Sequence, residues 1–351
     1  MTLKLHRMQL PREVVVGRGT LDLVGNICKR LGFSKTAFVV TGEKTLKIAG
    51  RKVIDLLQDA GMEVGHIIVS SPTLWNVRAV EQEIKKLRPQ FVLGVGGGAK
   101  IDVAKLSSAR HGIPYFSIPT TASHDGIASP LASIKGLAKP FSVMAQSPMA
   151  IIADTDVIIK SSYRLIASGC GDVISKITAV RDWKLAHKVK GEYYGEYAAS
   201  LALMSARLVM ANADSIKPGD EEGLRVLLEA LISCGVSMGI AGSSRPGSGA
   251  EHMFSHALDS IAPKSALHGE QCGVGAIMIA KIYGLNWERI RDKLKKVGAP
   301  TTAEELGVEP IHVVQALVKA REIRPERYTI LQEKMLDEDA AKMIAETTEV
   351  I

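Results

Sequence analysis

Three of the nine histidines, His252, His256 and His268, lie in one short glycine-rich stretch of the chain. His252 and His256 are four residues apart, so a helix would place them on one face, about one turn from each other. His268 follows a break at Pro263. Imidazole is the commonest transition-metal ligand in proteins, and three imidazoles, or two with a carboxylate, form an open catalytic zinc site. Each histidine taken singly could equally be a packed or surface residue, but the group predicts a metal site.

The carboxylate that would complete this site is not identified by spacing. Asp172, in the segment SGCGD, is expected at a helix N-terminus, where an N-cap role is the ordinary interpretation. Asp259 and Glu251 are nearer in sequence, but Ser248 and Glu251 form the S-x-x-E pattern of a capping box, which favours a structural role for Glu251. The glutamate of an HExxH zinc motif is absent, because Met253 occupies its position.

A second chemical signal is the glycine run Gly96–Gly98, between the apolar run FVLGV and a predicted helix. Glycines at such a junction let backbone N–H groups approach a phosphate at a helix N-terminus. The run does not match GxGxxG, and a tight turn is the alternative explanation. The segment TTAS (120–123) follows the next predicted strand and adds hydroxyl donors. Together the two segments favour a nucleotide-phosphate site.

The elements that must position these residues fall into two regions. Through residue 157, β-branched runs alternate with amphipathic helices, which predicts a doubly wound parallel α/β sheet with ligands at the carboxyl ends of its strands. Residues 158–351 are expected to be all-helical, with Pro and Gly between the helices. The predicted organisation is a Rossmann-like nucleotide-binding domain (1–157) and a helical metal- and substrate-binding domain (158–351).

Composition narrows the class of protein. A chain of 351 residues is long for one core, which favours two domains. The N-terminus lacks a signal-peptide pattern, and no membrane-spanning run of roughly 18–20 apolar residues is expected, so the prediction is a cytoplasmic protein. The four cysteines are far apart without CxxC spacing, which argues against a disulfide framework or an all-cysteine zinc site: Cys28, Cys170, Cys234 and Cys272.

The net charge of +7 and pI of about 9.1 are compatible with an anionic partner. Lysines and arginines are interspersed with acids in the two densest basic segments, 289–296 and 320–327. That pattern disfavours nucleic acid, which is usually bound by a continuous basic patch. A small phosphorylated substrate accounts for the charge better.

The chemical motifs occur together in one recognisable order: GGGxxxD (96–102), PTTASxD (119–125), GCGD (169–172), GAEHxxxHAL (249–258) and LHGE (267–270). In these motifs the chain resembles the iron-containing alcohol dehydrogenase and dehydroquinate synthase superfamily over essentially its whole length. Within it, TTASHDGIASPLASI and RPERYTIL are most similar to the archaeal sn-glycerol-1-phosphate dehydrogenases. The resemblance implies an NAD(P)-binding α/β domain, a helical domain and an active site in the cleft between them.

The resemblance also implies roles for individual residues. The implied metal ligands are Asp172, His252 and His268. The implied substrate-contacting residues are Asp125, Asp172 and His256. The implied cofactor-binding residues are Gly97, Gly98, Ala99, Lys100, Ile101, Asp102, Thr120, Thr121, Ala122, Ser123 and Ser129.

The implied reaction is zinc-dependent reduction of dihydroxyacetone phosphate to sn-glycerol 1-phosphate by NADH or NADPH, which supplies the backbone of archaeal ether phospholipids. His256 is expected to orient the substrate or relay a proton, with a packed structural role as the alternative. Members of this superfamily are commonly oligomers, so a homo-oligomer is expected. The alternatives are a glycerol dehydrogenase acting on unphosphorylated substrate and a dehydroquinate synthase-like lyase.

Overall fold

The chain consists of two compact units, Met1–Ser162 and Tyr163–Ile351. The structure is a computed structural model, and it describes residues 6–136, 140–264 and 266–351. Each unit has its own architecture. The first unit is α/β and the second is helical, which confirms the predicted fold class.

The described part of the first unit contains a six-stranded parallel sheet in the order β1-β8-β5-β4-β2-β3. The sheet strands are β1 (Glu13–Gly17), β2 (Thr36–Thr41), β3 (Glu63–Ile68), β4 (Phe91–Gly96), β5 (Tyr115–Pro119) and β8 (Ala150–Asp154). Every residue of β4, β5 and β8 is buried. This burial explains their continuous apolar runs, because strands covered on both faces do not alternate with polar residues.

Helices connect these strands. They are α1 (Val24–Arg30), α2 (Glu43–Thr45), α3 (Arg51–Asp59), α4 (Leu74–Leu87), α5 (Gly98–Arg110) and α6 (Thr155–Ile158), with 3-10 turns at Thr20–Leu23 and Asp125–Ile127 and a π-helical turn at Leu46–Gly50. The strand order reverses between β2 and β4: β3 follows β2 on one side of the sheet, and β5 follows β4 on the other. Such a reversal is where ligands bind in open α/β sheets. The glycine run follows β4 directly.

One feature of the first unit was not predicted. An antiparallel hairpin of β6 (Leu131–Lys135) and β7 (Pro140–Met144) lies between β5 and β8 in the sequence and forms a separate two-stranded sheet. Backbone N–H of Lys135 donates to the carbonyl oxygen of Pro72, 2.7 Å away, so the hairpin is joined to the segment before α4.

The second unit holds eleven helices and no strand in its described residues, 163–264 and 266–351. They are α7 (Tyr163–Ile174), α8 (Lys176–Lys190), α9 (Glu196–Ala211), α10 (Glu221–Ala241), α11 (Ala250–Ile261), α12 (His268–Ile282), α13 (Trp287–Lys296), α14 (Ala303–Leu306), α15 (Pro310–Ile323), α16 (Ile330–Lys334) and α17 (Glu338–Thr347). Helix α11 packs against α12 and α15, and α12 packs against α7. These contacts bring the histidine-bearing helices together.

Helix α10 corrects one expectation about apolar runs. It is 21 residues long, and an 18-residue window within it has a mean hydropathy of 1.7, enough by length and composition to cross a membrane. Of that window, 72% is buried inside the protein. Burial of this kind is typical of the core helix of a large helical domain.

Candidate active site

The loop between β4 and α5 begins the predicted cofactor-binding region of the first unit. Gly97 is the N-cap of α5, and Gly96 has φ +152°, a conformation that side chains rarely adopt. The backbone N–H of Thr120 donates to the carbonyl oxygen of Gly96 at 3.1 Å, which joins this loop to the one after β5. Lys100 donates from Nζ to the carbonyl oxygen of Ser70 at 3.0 Å, and burial lowers the pKa of the lysine.

Gly98 allows a close approach by His124. A Cβ atom at position 98 would lie 2.0 Å from Nε2 of His124, well inside van der Waals contact. The imidazole is held in place by its Nδ1, which accepts a hydrogen bond from the backbone N–H of Gly126 at 3.0 Å. His124 was not among the predicted site residues, although it lies inside the PTTASxD motif.

Asp102 lies behind the glycine loop in a closed network of hydrogen bonds. Its Oδ1 accepts from Nζ of Lys105 at 3.1 Å, and its Oδ2 accepts from the backbone N–H of Ser133 at 3.1 Å. Lys105 has no exposed side-chain surface and also donates to the carbonyl oxygens of Gly126 at 2.9 Å and Leu131 at 2.6 Å. These bonds fasten α5 to the segment from 126 to 133. A direct role for Asp102 in cofactor binding stays a prediction.

The remaining predicted cofactor- and substrate-binding residues of the first unit lie in residues 120–129. Asp125 begins the 3-10 turn, and its carbonyl oxygen accepts from the backbone N–H of Ser129 at 3.0 Å. Buried positions alternate with partly exposed ones here: Thr120, Ala122 and Ser129 are buried, and Thr121, Ser123 and Asp125 are partly exposed. The structure therefore gathers the predicted cofactor residues on two joined loops after β4 and β5. Their contacts with a cofactor stay predictions.

In the helical unit, three helices bring the predicted metal ligands together. Asp172 is in α7, His252 in the first turn of α11, and His268 is the first residue of α12. Nε2 of His252 lies 3.7 Å from Oδ1 of Asp172, and the rings of His252 and His268 are 4.9 Å apart between centroids.

The predicted location of Asp172 was wrong in one respect. The segment SGCGD does not interrupt a helix: α7 continues through it to Ile174, and the break falls at Ser175. Asp172 therefore lies near the C-terminal end of α7 instead of at a helix N-terminus.

Two glycines explain why α7 tolerates this segment and how it reaches α12. A Cβ atom at Gly269 would lie 1.9 Å from the carbonyl oxygen of Ser168, and one at Gly171 would lie 2.3 Å from the carbonyl oxygen of Gly269. The two helices therefore touch backbone to backbone at this point. This contact holds Asp172 and His268, each adjacent in sequence to one of the glycines, near each other.

Cys272 is a donor that the sequence prediction missed. Ligand atoms of His252, His268 and Cys272 all lie within 4.8 Å of one another, and Sγ of Cys272 is 3.6 Å from Nε2 of His268. The cysteine is fully buried. Its spacing of four residues after His268 on a predicted helix was the available signal.

Outer partners fix the orientation of the imidazoles. Oε1 of Glu251 lies 2.8 Å from Nδ1 of His252, while Oε2 accepts from the hydroxyl of Thr178 at 2.7 Å. The predicted capping box of Ser248 and Glu251 is wrong. Gly249 is the N-cap, and its own N–H donates to Glu251 at 2.6 Å. A carboxylate behind a histidine is the usual outer partner of a metal ligand.

His268 has a corresponding chain of partners. The hydroxyl of Ser255 lies 3.3 Å from Nδ1 of His268 and donates to Oε1 of Gln271 at 2.6 Å. Nε2 of Gln271 in turn donates to Asp259 at 3.0 Å. Asp259, considered from the sequence as a metal carboxylate, is thus the last member of this series of hydrogen bonds behind His268.

The electrostatics of the cluster favour a cation. Burial alone would raise the pKa of Asp172, but the ammonium of Lys176, with His252 and His268, holds it well below its usual value. Burial alone would lower the pKa of His252, but Cys272, Asp172 and Glu251 raise it well above the usual value. Two imidazoles, a carboxylate and a thiol are donors that zinc binds. The residues present therefore fit a zinc ion.

His256 lies beside this cluster without joining it. Its ring centroid is 6.0 Å from that of His268. Burial, followed by the positive charges of His252, Arg324 and Arg327, lowers the pKa of His256 to about 3. The imidazole is therefore neutral at physiological pH, with one N–H donor and one acceptor nitrogen.

Comparison with known proteins identifies the family. The family model for iron-containing alcohol dehydrogenase matches residues 15–161. Curated relatives named glycerol-1-phosphate dehydrogenase (NAD(P)+) match the full chain. The protein from Pyrococcus furiosus is 54% identical over 99% of this chain and 100% of its own length. The protein from Methanosarcina mazei is 53% identical over 98% of this chain and 96% of its own.

Solved structures share the fold at lower identity. Glycerol dehydrogenase from Schizosaccharomyces pombe is 22% identical, with a TM-score of 0.82 over 99% of this chain and 92% of its own. Sulfoacetaldehyde reductase from Bifidobacterium kashiwanohense, solved with NAD+, is 18% identical, with a TM-score of 0.76 over 99% of each chain. The chain belongs to the glycerol-1-phosphate dehydrogenases, oxidoreductases related to the iron-containing alcohol dehydrogenases.

Proposed function

We propose that this enzyme reduces dihydroxyacetone phosphate to sn-glycerol 1-phosphate, reversibly, with NADH or NADPH as hydride donor and zinc as resident metal. The observation that carries the proposal is the convergence of Asp172, His252 and His268, in a chain about half identical over its full length to named glycerol-1-phosphate dehydrogenases. The proposed nucleotide-binding residues and the proposed substrate contact Asp125 belong to the first unit, and the proposed metal ligands and His256 belong to the second.

Asp172, His252 and His268 would hold the zinc ion, and Glu251 and the Ser255–Gln271 pair would orient the two imidazoles. Zinc supplies a Lewis acid that polarises a carbonyl oxygen and lowers the pKa of a bound hydroxyl group. The chain contributes prearranged donors: the Gly171–Gly269 contact and the outer hydrogen bonds fix them before substrate arrives.

Reduction of a ketone places negative charge on its oxygen, which must then gain a proton. His256 suits this step because its lowered pKa keeps it neutral, so it can donate its N–H and accept a proton at the other nitrogen. Asp125, partly exposed at the start of its 3-10 turn, is proposed to hydrogen-bond the free hydroxyl of the substrate. That bond would select the face of the ketone that receives hydride.

The cofactor is proposed to bind through the loop from Gly97 to Ile101. Backbone N–H groups at the start of α5 and the positive end of its helix dipole suit a pyrophosphate. The hydroxyl groups of Thr120, Thr121 and Ser123 on the adjoining loop add donors.

The test is a reaction with defined stereochemistry. Zinc-loaded protein should oxidise NADH or NADPH in the presence of dihydroxyacetone phosphate, and chiral analysis should identify the product as sn-glycerol 1-phosphate. Turnover of unphosphorylated dihydroxyacetone alone would instead assign a glycerol dehydrogenase. Formation of the sn-3 enantiomer would also refute the proposal.

Alanine variants separate metal ligation from substrate contact. His252→Ala and His268→Ala should each lose zinc by metal analysis and lose activity. His256→Ala should keep most of its zinc while activity falls about 10²- to 10⁴-fold, the usual contribution of a proton-transfer group. Loss of zinc from His256→Ala would show that this residue is a metal ligand.

The cellular role is proposed to be synthesis of the glycerophosphate backbone of archaeal ether phospholipids in the cytoplasm. Burial of most of α10 supports a role for that helix in the core. Separation of labelled protein into cytosolic and membrane fractions tests the localisation.

A homo-oligomer is proposed as the working form. Helix α9 carries an apolar stripe with large exposed fractions: Tyr197 is 75% exposed, Met204 51% and Leu208 48%. Contiguous exposed apolar surface of this kind marks protein interfaces. Light scattering of the purified enzyme gives the mass; a monomer at micromolar concentration would contradict the proposal.

A further inference from the structure

A cationic cluster lies at the end of α15, next to the helix that carries the histidines. Helix α15 packs along α11, and Arg324 is its C-cap residue. Arg327, three residues later, donates from Nη1 to the carbonyl oxygen of Ser248 at 2.7 Å and from Nη2 to the hydroxyl of Ser244 at 2.6 Å. Ser248 immediately precedes the N-cap of α11. Arg327 is therefore fixed at the N-terminus of α11, the helix that bears His252 and His256.

The three guanidinium groups of the cluster differ in whether a carboxylate pairs with them. A third guanidinium, that of the buried Arg245, is paired with Glu192 through Nε and Oε1 at 2.6 Å. By contrast, neither Arg324 nor Arg327 forms an ion pair in the part of the chain that the structure describes, and Arg324 forms no hydrogen bond there. The exposed Glu326 is the acid that acts on the charge of Arg324.

Burial and mutual repulsion both make these charges unfavourable. Burial, followed by the charges of Arg245 and Arg324, lowers the pKa of Arg327 to about 10. Burial also lowers the pKa of Arg324. Partly desolvated cations near one another are costly unless an anion joins them. Glu192 and Glu251 offset part of the charge of Arg327 from a longer range, but no carboxylate among the described residues forms an ion pair with Arg324 or Arg327.

The unused donors match a phosphate group. A guanidinium has five N–H donors arranged as a fork that fits the oxygens of phosphate. Arg327 uses two of them on Ser248 and Ser244, and the fork of Arg324 is unused among the described residues. Helix α15 packs along α11, which carries His256, the proposed substrate contact, and the charges of Arg324 and Arg327 contribute to the lowered pKa of that imidazole.

We infer that Arg324 and Arg327 bind the phosphate group of the substrate, with Arg324 as the principal anion ligand and Arg327 as its fixed partner. This inference rests on the proposed function. It gives the second unit an anion site beside the metal ligands, and it accounts for selection of a phosphorylated over an unphosphorylated ketone.

The test uses zinc-loaded enzyme with Arg324→Ala and Arg324→Lys. Arg321→Ala is the matched control, because Arg321 lies in the last turn of the same helix. Loss of a charge-assisted bond to phosphate should raise the KM for dihydroxyacetone phosphate about 10- to 100-fold in Arg324→Ala. The KM of Arg324→Lys should lie between those of the wild type and Arg324→Ala, since lysine cannot pair bidentately with phosphate. Arg321→Ala should keep the wild-type KM.

Two further measurements distinguish an anion site from a structural role. Inorganic phosphate should inhibit the wild-type enzyme competitively with substrate and should inhibit Arg324→Ala much less. The zinc content and NADH affinity of Arg324→Ala should match those of Arg321→Ala. Arg327 is unsuitable for the primary test because its bonds to Ser248 and Ser244 also support the fold.

The outcomes separate the two claims. A wild-type enzyme that does not reduce dihydroxyacetone phosphate refutes the proposed function. A wild-type enzyme that does, together with an unchanged KM and unchanged phosphate inhibition in Arg324→Ala, refutes only the anion site.

Discussion

Each unit contains a buried aspartate–lysine pair: Asp102 and Lys105 lie within α5 of the first unit, and Asp172 and Lys176 lie at the junction of α7 and α8 in the second. The two pairs differ in the groups that surround the carboxylate. In the first unit Lys105 donates to Asp102 and to two backbone carbonyl oxygens, while the other oxygen of Asp102 accepts from Ser133. In the second unit Lys176 donates to Asp172 at 2.7 Å and to the carbonyl oxygen of Gly247 at 3.1 Å. Both lysine side chains are fully buried.

The difference lies in the surroundings of the two carboxylates. Asp102 is surrounded by internal donors that fasten one loop to another. Asp172 faces His252 and the cluster of His268 and Cys272, whose nitrogen and sulfur atoms are metal ligands by type. A similar pair thus lies among internal hydrogen-bond donors in one unit and beside potential metal ligands in the other. The neighbours of the pair determine its role.

Replacing each lysine should give the largest stability effects and show whether zinc compensates one carboxylate but not the other. Lys105→Met leaves Asp102 buried without its partner, so the free energy of unfolding should fall by about 3–5 kcal/mol. Lys176→Met should destabilise the zinc-free protein similarly, but added zinc should restore much of the loss, because a cation then compensates Asp172. Thermal unfolding with and without zinc measures both. If zinc restored the stability of both variants equally, the proposed difference between Asp102 and Asp172 would be contradicted.

A pH effect in the second unit should be next in size. Burial, followed by the charge of Glu251, raises the pKa of Asp182 from 3.8 to about 7. The folded state therefore holds this proton more tightly than the unfolded chain. The stability it contributes is full below about pH 4 and is lost as the pH rises to about 7, at most about 4 kcal/mol.

The matched variant is Asp182→Asn, which cannot titrate. It loses one hydrogen bond at every pH, because Asp182 accepts from the N–H groups of Ala250 and Ile330 and from the hydroxyl of Tyr283. The difference in unfolding free energy between wild type and variant should shrink as pH rises across this window. A constant difference would contradict the assigned pKa.

The helix contact that positions the cation site should give the smallest effect. Gly269→Ala forces a methyl group against the carbonyl oxygen of Ser168, which should cost about 1–3 kcal/mol and weaken zinc binding as His268 moves. Gly273→Ala is the control, since its Cβ would meet Leu294 at 3.2 Å and Gly171 at 3.3 Å. A larger loss of zinc affinity in the control would refute this account of the contact.

The α/β order and the histidine helix were predictable because both follow from local periodicity. Alternating apolar runs and glycine junctions predict strands and turns, and the four-residue spacing of His252 and His256 places them on one face. The hairpin of β6 and β7 was missed, and Asp172 was placed at the wrong end of a helix. Glycine-rich SGCGD resembles a break locally, but packing of Gly171 against Gly269 keeps it helical.

Other parts of the site were beyond a reading of spacing. Cys272 follows His268, and Lys176 follows Asp172, each by four residues, so helical spacing could have paired them. Spacing does not show which pairs are buried or which share a cation. The cationic cluster combines Arg245 with Arg324 and Arg327, some 80 residues later, and only tertiary packing brings them together.

The most direct test of the central claim is the zinc content of two matched variants, Asp172→Asn and Asp102→Asn, each purified folded and dialysed against the same zinc buffer. We expect Asp102→Asn to keep wild-type zinc and Asp172→Asn to lose zinc affinity by more than the roughly 10- to 100-fold that an outer partner contributes. Wild-type zinc in Asp172→Asn would contradict the assignment of Asp172 as the metal carboxylate.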